Sequence, residues 1–326
     1  MKTSTMACLS RSAARSETGF VLVAVLWILA ALATLASIYS SYTVNTAAAS
    51  RVADDRVQAE ASIRAGVEMA VFRQLVLPEK TRLVRGGFDM RVGRTGVAVR
   101  FRSEGARIDL NAAPADLLAG LFTAVGVDPM RAETFAERVV GWRTNASTGA
   151  GANAAGADSK DDKAAKEDKL YSEQHMPYPP RHAPFDNALE LSLLPGIPLA
   201  VVERVLPFVT VFSGRAAVEV SSADPTVLSA LPQMTPQILG AVLNARVSDP
   251  GDGRALLELL GPAKSQATAD ASETFRASIA VDFDNGRRVH AEVVFRLEDQ
   301  GANDQGAAPY ELLYWRDDFD GPMQSA

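Results

Sequence analysis

The sequence predicts an α+β fold. A long N-terminal helix, transmembrane in its first half and amphipathic in its second, leads into an antiparallel sheet interrupted by a large inserted all-α domain. Three observations carry this reading. No charged residue occurs from Thr18 through Ser50, and no proline precedes Pro78. Alternating apolar and polar residues flank Gly93–Gly96 and Asp284–Gly286, the pattern of two β-hairpins. Between the hairpins, residues 108–262 read as short helices punctuated by Asp-Pro and Thr-Pro pairs.

The helix comes first. Phe20–Tyr42 supplies 23 predominantly apolar positions, enough at about 1.5 Å each to cross a hydrocarbon core of about 30 Å. That is longer than the h-region of a secretory signal. Lys2, Arg11 and Arg15 precede it and favour a cytoplasmic N-terminus. Trp27, Tyr39 and Tyr42 are candidate interfacial anchors. Beyond it, Val57, Ile63, Val67, Ala70, Val71 and Leu75 fall near a 3.6-residue period, so one helix is expected from about Phe20 to Leu77. The competing reading is two helices with a break around Asn45.

Charge divides the chain. Met1–Glu104 holds 14 Lys/Arg against 8 Asp/Glu, and the remainder 19 against 31. The acidic majority argues against a nucleic-acid surface, which needs positive charge to displace counterions. The single cysteine, Cys8, lies before the apolar stretch, so the rest of the chain has no disulfide, thiolate metal site or nucleophilic thiol.

After Pro78 come strands. "FDMRVGRTGVAVRFRSE" gives the first hairpin, "FRASIAVDFDNGRRVHAEVVFRLED" the second, and Tyr310–Trp315 a final strand. Within the helical region, Asp128-Pro129, Asp224-Pro225 and Thr235-Pro236 set a capping side chain before a proline at the first helical position, and Ala113-Pro114 is a weaker instance. Two blocks look like copies, "IDLNAAPADLLAGLFTAVGVDPMRAETFAERVVGWR" and "VEVSSADPTVLSALPQMTPQILGAVLNARV". Each has a strand-like lead, a helix, a turn and a second helix. "NALELSLLPGIPLAVVERVLPFV" reads as a third, intervening hairpin, giving a repeated helix-hairpin-helix pattern. Such hairpins can bind a DNA phosphate through backbone N–H groups. Here Pro198 occupies the second glycine position of that turn and has no N–H to donate, so a packing module is favoured. Thr144–Lys169 contains nothing more apolar than alanine and reads as a flexible loop.

Several of these segments resemble the type IV pilin-like proteins. "SETG" followed by "FVLVAVLWILA" is similar to a prepilin peptidase site, with cleavage between Gly19 and Phe20. Most of that superfamily carries Glu as the fifth mature residue, where this chain has Ala24. The subfamily that lacks the glutamate is the minor pseudopilin K of type II secretion systems, and "AVLWILA", "DLNAAPADLL" and "PYPPRHAPFDNALEL" resemble its segments, with His182 in place of the usual Asn. The resemblance runs from about Ser16 to about Leu297.

The resemblance implies a leader over 1–19, a membrane-spanning part over 20–42, and an amphipathic helix with the first strands of a pilin-like domain over 43–107. An inserted helical domain over 108–262 with its loop at 144–170, closing strands over 263–316 and a tail over 317–326 would follow. It implies methylation of Phe20, a single-pass inner-membrane location with a periplasmic C-terminal domain, and a place at the pseudopilus tip in support of protein export. The implied partners are other minor pseudopilins, the major pseudopilin, prepilin peptidase and the inner-membrane assembly platform, with no nucleic acid. A tip subunit has no subunit ahead whose terminal amine needs a carboxylate, which suits Ala24.

The family also carries acidic calcium ligands after a Trp-Arg pair. Trp142-Arg143 is kept, but Thr144 and Ala146 stand where the two acids would be. Asp158, Asp161 and Asp162 remain as candidate ligands, interleaved with Lys160, Lys163 and Lys166, and the ligand spacing is not met. No other cofactor is expected. Nor is catalysis: His175 and His182 lie in a proline-rich connection, His290 lies in a strand, and no phosphate loop, HExxH or nucleophile elbow appears. Glu190 and Glu203 read as surface or capping groups. Rival readings are a membrane-anchored DNA receptor of the competence type, a minor pilin of type IV pili and an envelope hydrolase.

Overall fold

Helix α1 runs unbroken through Thr18–Leu75, so no break occurs at Asn45. The computed structural model describes residues 18–78, 82–144, 158–248, 253–298 and 308–318. Two units divide the chain, Met1–Glu60 and Ala61–Ala326. In the first unit the large apolar side chains from Phe20 to Val44 are exposed, as expected of a helix that is greasy on every side.

In the second unit α1 is one-sided. Ser62, Ile63, Val67, Ala70, Val71 and Gln74 are buried, at three- and four-residue spacing. Leu75 was expected on this face, but it is exposed, and Gln74 takes the inward position instead. Its amide donates to the Leu83 carbonyl at 2.8 Å and accepts from the Leu83 N–H at 3.2 Å, which satisfies the buried polar group. Gly66 brings the helix against the sheet, because a Cβ there would meet Val99 Cγ2 at 3.1 Å.

That sheet has five antiparallel strands, which lie side by side in the following order. They are β1 (Arg85–Val92), β2 (Thr95–Ser103), β7 (Thr274–Asp282), β8 (Arg288–Leu297) and β9 (Tyr310–Asp317). Both predicted hairpins form, and the last strand extends two residues past the predicted Trp315. Gly286, at φ 82°, turns the second hairpin, as the Asp-Asn-Gly signal required. Buried Val97, Val99 and Phe101 alternate along β2, as Phe275, Ala277, Ile279 and Val281 do along β7. Phe275 stacks on Phe295 at 5.8 Å.

The helical region leaves the sheet after Ser103 and re-enters at Phe275, which is paired with Ser103. It is therefore an insertion between two adjacent strands. Its elements are β3 (Ile108–Asp109), α2 (Ala115–Ala124), α3 (Pro129–Arg143), α4 (Asp158–Glu173), α5 (Leu199–Val205), β4 (Val209–Thr210), β5 (Val218–Glu219), α6 (Pro225–Ser229), α7 (Pro236–Ser248), α8 (Gly253–Leu259) and β6 (Ala267–Thr268). Two-residue parallel pairings close it, β3 with β4 and β5 with β6. Its last elements run past the expected boundary at 262, and Ala263 belongs to its core.

Asp128, Asp224 and Thr235 cap α3, α6 and α7, as the sequence predicted. Pro114 sits one position earlier than its counterparts, as an N-cap without a side-chain bond. The hairpin 187–209 opens with a 3₁₀ helix, Ala188–Leu193, which Asn187 and Glu190 start as a capping box.

One expectation fails in part. The flexible loop assigned to 144–170 is α-helical from Asp158, and α4 continues to Glu173. Alanine, lysine and glutamate are good helix formers, Lys169 pairs with Glu173 four residues on, and Tyr171 reaches the aromatic face of Trp142 at 6.2 Å. The apolar anchor thus lies just beyond the segment read as loop. Residues 145–157 lie outside the described residues.

Candidate functional site

The first candidate element is the exposed apolar half of α1. Gly19, Phe20 and Ala24 all fall within the helix, Phe20 in its first turn. From Phe20 the helix is long and apolar enough to cross a membrane, with a mean hydropathy of 2.6 over its best window, none of that window buried. Such a surface is stable only against lipid or other helices. Most of the leader, residues 1–17, lies outside the described residues.

The second element is the frame of the insert, and it is a structural repeat. Asp109 and Glu219, both buried, end the paired leads β3 and β5. The Asp109 carboxylate accepts from the Asn111 and Ala112 N–H groups and, on its other oxygen, from Ser213 Oγ and the Gly214 N–H. Glu219 accepts from the Ser221, Ser222 and Ser103 hydroxyls. At the far end of each unit an arginine returns. Arg143 donates to the carbonyls of Leu110 at 2.5 Å and Ala113 at 2.6 Å. Arg246 donates to those of Val220 and, at 2.7 Å, Ala223. The two arginines therefore do the same work, clamping the lead to the last turn of the second helix through the guanidinium fork. Burial lowers the pKa of Arg143 while Asp109 opposes that shift.

A buried ion pair joins insert to sheet. Arg276 on β7 meets Glu104 at 2.6 Å and Glu292 at 2.9 Å, and the Thr210 hydroxyl donates to Glu104. Glu104 is fully buried. Removing one member of such a pair leaves the other uncompensated, so the orientation of insert on sheet is fixed tightly.

The third element lies where the sequence reading looked for calcium. Thr144 Oγ1 donates to the Val140 carbonyl at 2.6 Å, and the Thr144 carbonyl lies 3.2 Å from His182 Nδ1. His182 Nε2 lies 2.8 Å from Asp168. The position of the first missing acid is thus bonded within α3 and to a histidine. Ala146 lies outside the described residues, as do the side chains of Asp158, Asp161 and Asp162. Among the described residues no cluster of three or more His, Cys, Asp or Glu could hold a metal ion. In the proline-rich connection the His182 side chain is 19% exposed and both of its ring nitrogens are engaged. His175 is exposed, and His290 faces solvent beside Asp318 at 3.4 Å.

Two residues with clear roles escaped the sequence reading. Arg143 was noted only as half of a Trp-Arg pair, although "VVGWR" and "VLNAR" close the second helices of the two copied blocks and so already align it with Arg246. Glu167 was passed over inside the supposed loop. It is buried between α4 and α3, its Oε1 has no hydrogen-bond partner, and burial pushes its carboxyl up to about 7.

Residues 101–214 match the family model described as Type II secretion system (T2SS), protein K. The fold matches a chain in the crystal structure of the GspK-GspI-GspJ complex from the enterotoxigenic Escherichia coli Type 2 Secretion System, with a TM-score of 0.58. That match has 17% sequence identity and covers 82% of this chain and 98% of the other. Among curated proteins no relative matches.

Proposed function

We propose that the chain is a protein K of the type II secretion system, whose family model matches residues 101–214, and that it acts as a minor pseudopilin at the tip of the pseudopilus, supporting export of folded proteins. The observation that carries this reading is α1: one unbroken helix, apolar on every side at first and then packed on a sheet. A helix built this way serves as a membrane anchor before assembly and as the stalk of a helix bundle after it.

In this reading the leader ends at Gly19, Phe20 becomes the methylated N-terminus, and Ala24 replaces a carboxylate that a tip subunit does not need. The N-terminus is cytoplasmic and residues beyond the membrane are periplasmic. The partners are two other minor pseudopilins, by analogy with the complex in which the similar chain was solved. The major pseudopilin, the prepilin peptidase and the assembly platform act on or beside α1. The role is structural, with no catalytic step. The insert supplies bulk and rigidity, which suit a cap better than a filament repeat.

Mass spectrometry of the protein from cells with an active prepilin peptidase tests the first part: a methylated Phe20 is expected, and an intact Met1 would overturn it. Co-purification tests the second. A stable 1:1:1 complex with two other minor pseudopilins is expected, and a chain recovered alone from cells that express all three would count against the tip role.

A further inference from the structure

The five-stranded sheet has two edges, β1 and β9, and among the described residues each is bonded to one neighbouring strand only. A strand in that position turns alternate N–H and C=O groups away from its neighbour, a row that another extended chain can pair in register. The two edges differ in how open they are to this. β1 carries charges at Arg85, Asp89 and Arg91 and two adjacent glycines, Gly86 and Gly87, and both features discourage pairing. The centre of β9, Leu312–Trp315, is four large uncharged residues. Leu312 is 47% exposed, and tyrosine and tryptophan favour strands.

β9 is also fixed in place. The Tyr310 hydroxyl donates to Glu68 on α1 at 2.6 Å, and the ring of Phe212, from the insert, lies 6.0 Å from that of Tyr314. At the far end the Asp318 N–H donates to the His290 carbonyl at 3.0 Å, and the His290 N–H donates to the Asp318 carboxylate at 2.6 Å. An edge held this way loses little entropy on receiving a strand.

The occupant follows from charge and shape. Glu311 and Arg316 bracket the uncharged centre with opposite signs, so an antiparallel strand that begins with an acid and ends with a base matches both ends. Leu313 is the extra residue of a bulge, between Leu312 opposite Phe295 and Tyr314 opposite Val294. A bulge increases the twist of the edge, which suits a single flexible strand and disfavours the edge of a second sheet. A second copy of this chain fits poorly for a further reason. Pairing β9 with β9 antiparallel reverses α1 as well, and two chains anchored by α1 in one membrane cannot point in opposite directions. Pairing them parallel sets Glu311 and Arg316 each beside its own copy, where like charges repel.

We propose that β9 is a strand-addition edge, which receives an extended segment of a partner polypeptide antiparallel to it, acid first, apolar in the middle and base last. Only the exclusion of a second copy uses the membrane-anchor reading of α1; the edge itself is independent of any role at a pseudopilus tip.

The test is amide exchange and calorimetry on the full chain in detergent micelles, with the peptide acetyl-Glu-Val-Thr-Val-Val-Lys-amide. Saturable binding is expected, with new protection at alternate amides of β9. Methylating one alternate set of peptide nitrogens weakens binding at least tenfold and methylating the other set does not, because only one set faces the edge. The charge-reversed peptide, acetyl-Lys-Val-Thr-Val-Val-Glu-amide, binds several-fold more weakly. Glu311→Lys combined with Arg316→Glu, both at exposed positions, exchanges the preference between the two peptides, which a mere loss of folding cannot do. Equal binding of the two methylated peptides overturns the proposal, as does a charge preference that is absent or that survives the exchange. Protection of the outward β9 amides in the free protein would mean that the chain itself already covers the edge, and would also overturn it. So would a dimer in micelles that Leu312→Lys dissociates.

Discussion

Gly120 on α2 lies directly against the Ala230 carbonyl at the end of α6: a Cβ on Gly120 would stand 2.0 Å from that oxygen. The two helices belong to the two copies of the repeated unit, so this approach is where one copy closes on the other. The obstructing atom is backbone and cannot rotate away. Gly120→Ala is therefore expected to destabilise the insert by about 2–3 kcal/mol despite alanine's better helix propensity. Urea denaturation followed by near-ultraviolet circular dichroism reads this. A change under 0.5 kcal/mol would mean that the helices separate at no cost.

The arginine clamps make a second prediction. Arg143 and Arg246 each hold two carbonyls of their own unit. Arg143→Met keeps the stem but strands both acceptors, at a cost of about 2–4 kcal/mol. Arg143→Lys recovers little, because one ammonium cannot reproduce the fork. Arg246→Met should behave alike, and the two effects add if the units are independent. Full rescue by lysine at either site would show that charge, not the forked geometry, is what matters.

Much of this fold was legible in the sequence, because each element carried its own local signal. The unbroken α1 followed from the missing charges and prolines, the hairpins from alternation with Gly-rich turns, and the helix starts from Asp-Pro and Thr-Pro. What failed was non-local. The helix at Asp158 holds because Leu170 and Tyr171 dock on a core supplied by Trp142 and Phe185, residues that a window ending at Lys169 does not contain. Glu167 was invisible for the same reason. Nothing in "AAKEDK" distinguishes a buried glutamate from an exposed one, and only the approach of Gly141 makes it so. The clamps were half-legible, since aligning the two blocks pairs the arginines but not the carbonyls they hold.

Turn geometry gives a third prediction. Gly126, Gly196 and Gln233 each stand three residues before the second helix of a hairpin, with φ of 88°, 80° and 60°. Two of the three hairpins use glycine, which takes this conformation without penalty, and the third uses a side chain that does not. Gln233→Gly is expected to stabilise the protein by about 0.5–1 kcal/mol, while Gly126→Ala and Gly196→Ala cost about 1–2 kcal/mol each. Thermal melts of the three variants suffice as the measurement. A lower melting temperature for Gln233→Gly would show that its side chain makes a contact that outweighs the strain.

The last prediction concerns pH and the docking of α4. Burial raises the Glu167 carboxyl from its ordinary 4.5 to about 7, while Arg138, His182 and Lys166 pull it down and Asp168 pushes it up. For a carboxyl whose folded pKa is raised, the docked state prefers the neutral form. Docking is then strongest below about 4.5, weakens as pH rises from 4.5 towards 7, and changes little above that. Amide exchange of Leu170–Glu173, corrected for the intrinsic pH dependence of exchange, should show protection falling between pH 5 and pH 7.5. The amides of the five-stranded sheet, which lies outside the insert, should hold steady. Glu167→Gln keeps the shape and removes the titration, so its α4 protection is expected to be flat with pH and above wild type at pH 7.5. A wild-type α4 whose protection is unchanged across this range would place the proton elsewhere. Protection that rises with pH would mean that Arg138 and Lys166 overcome burial and hold Glu167 charged.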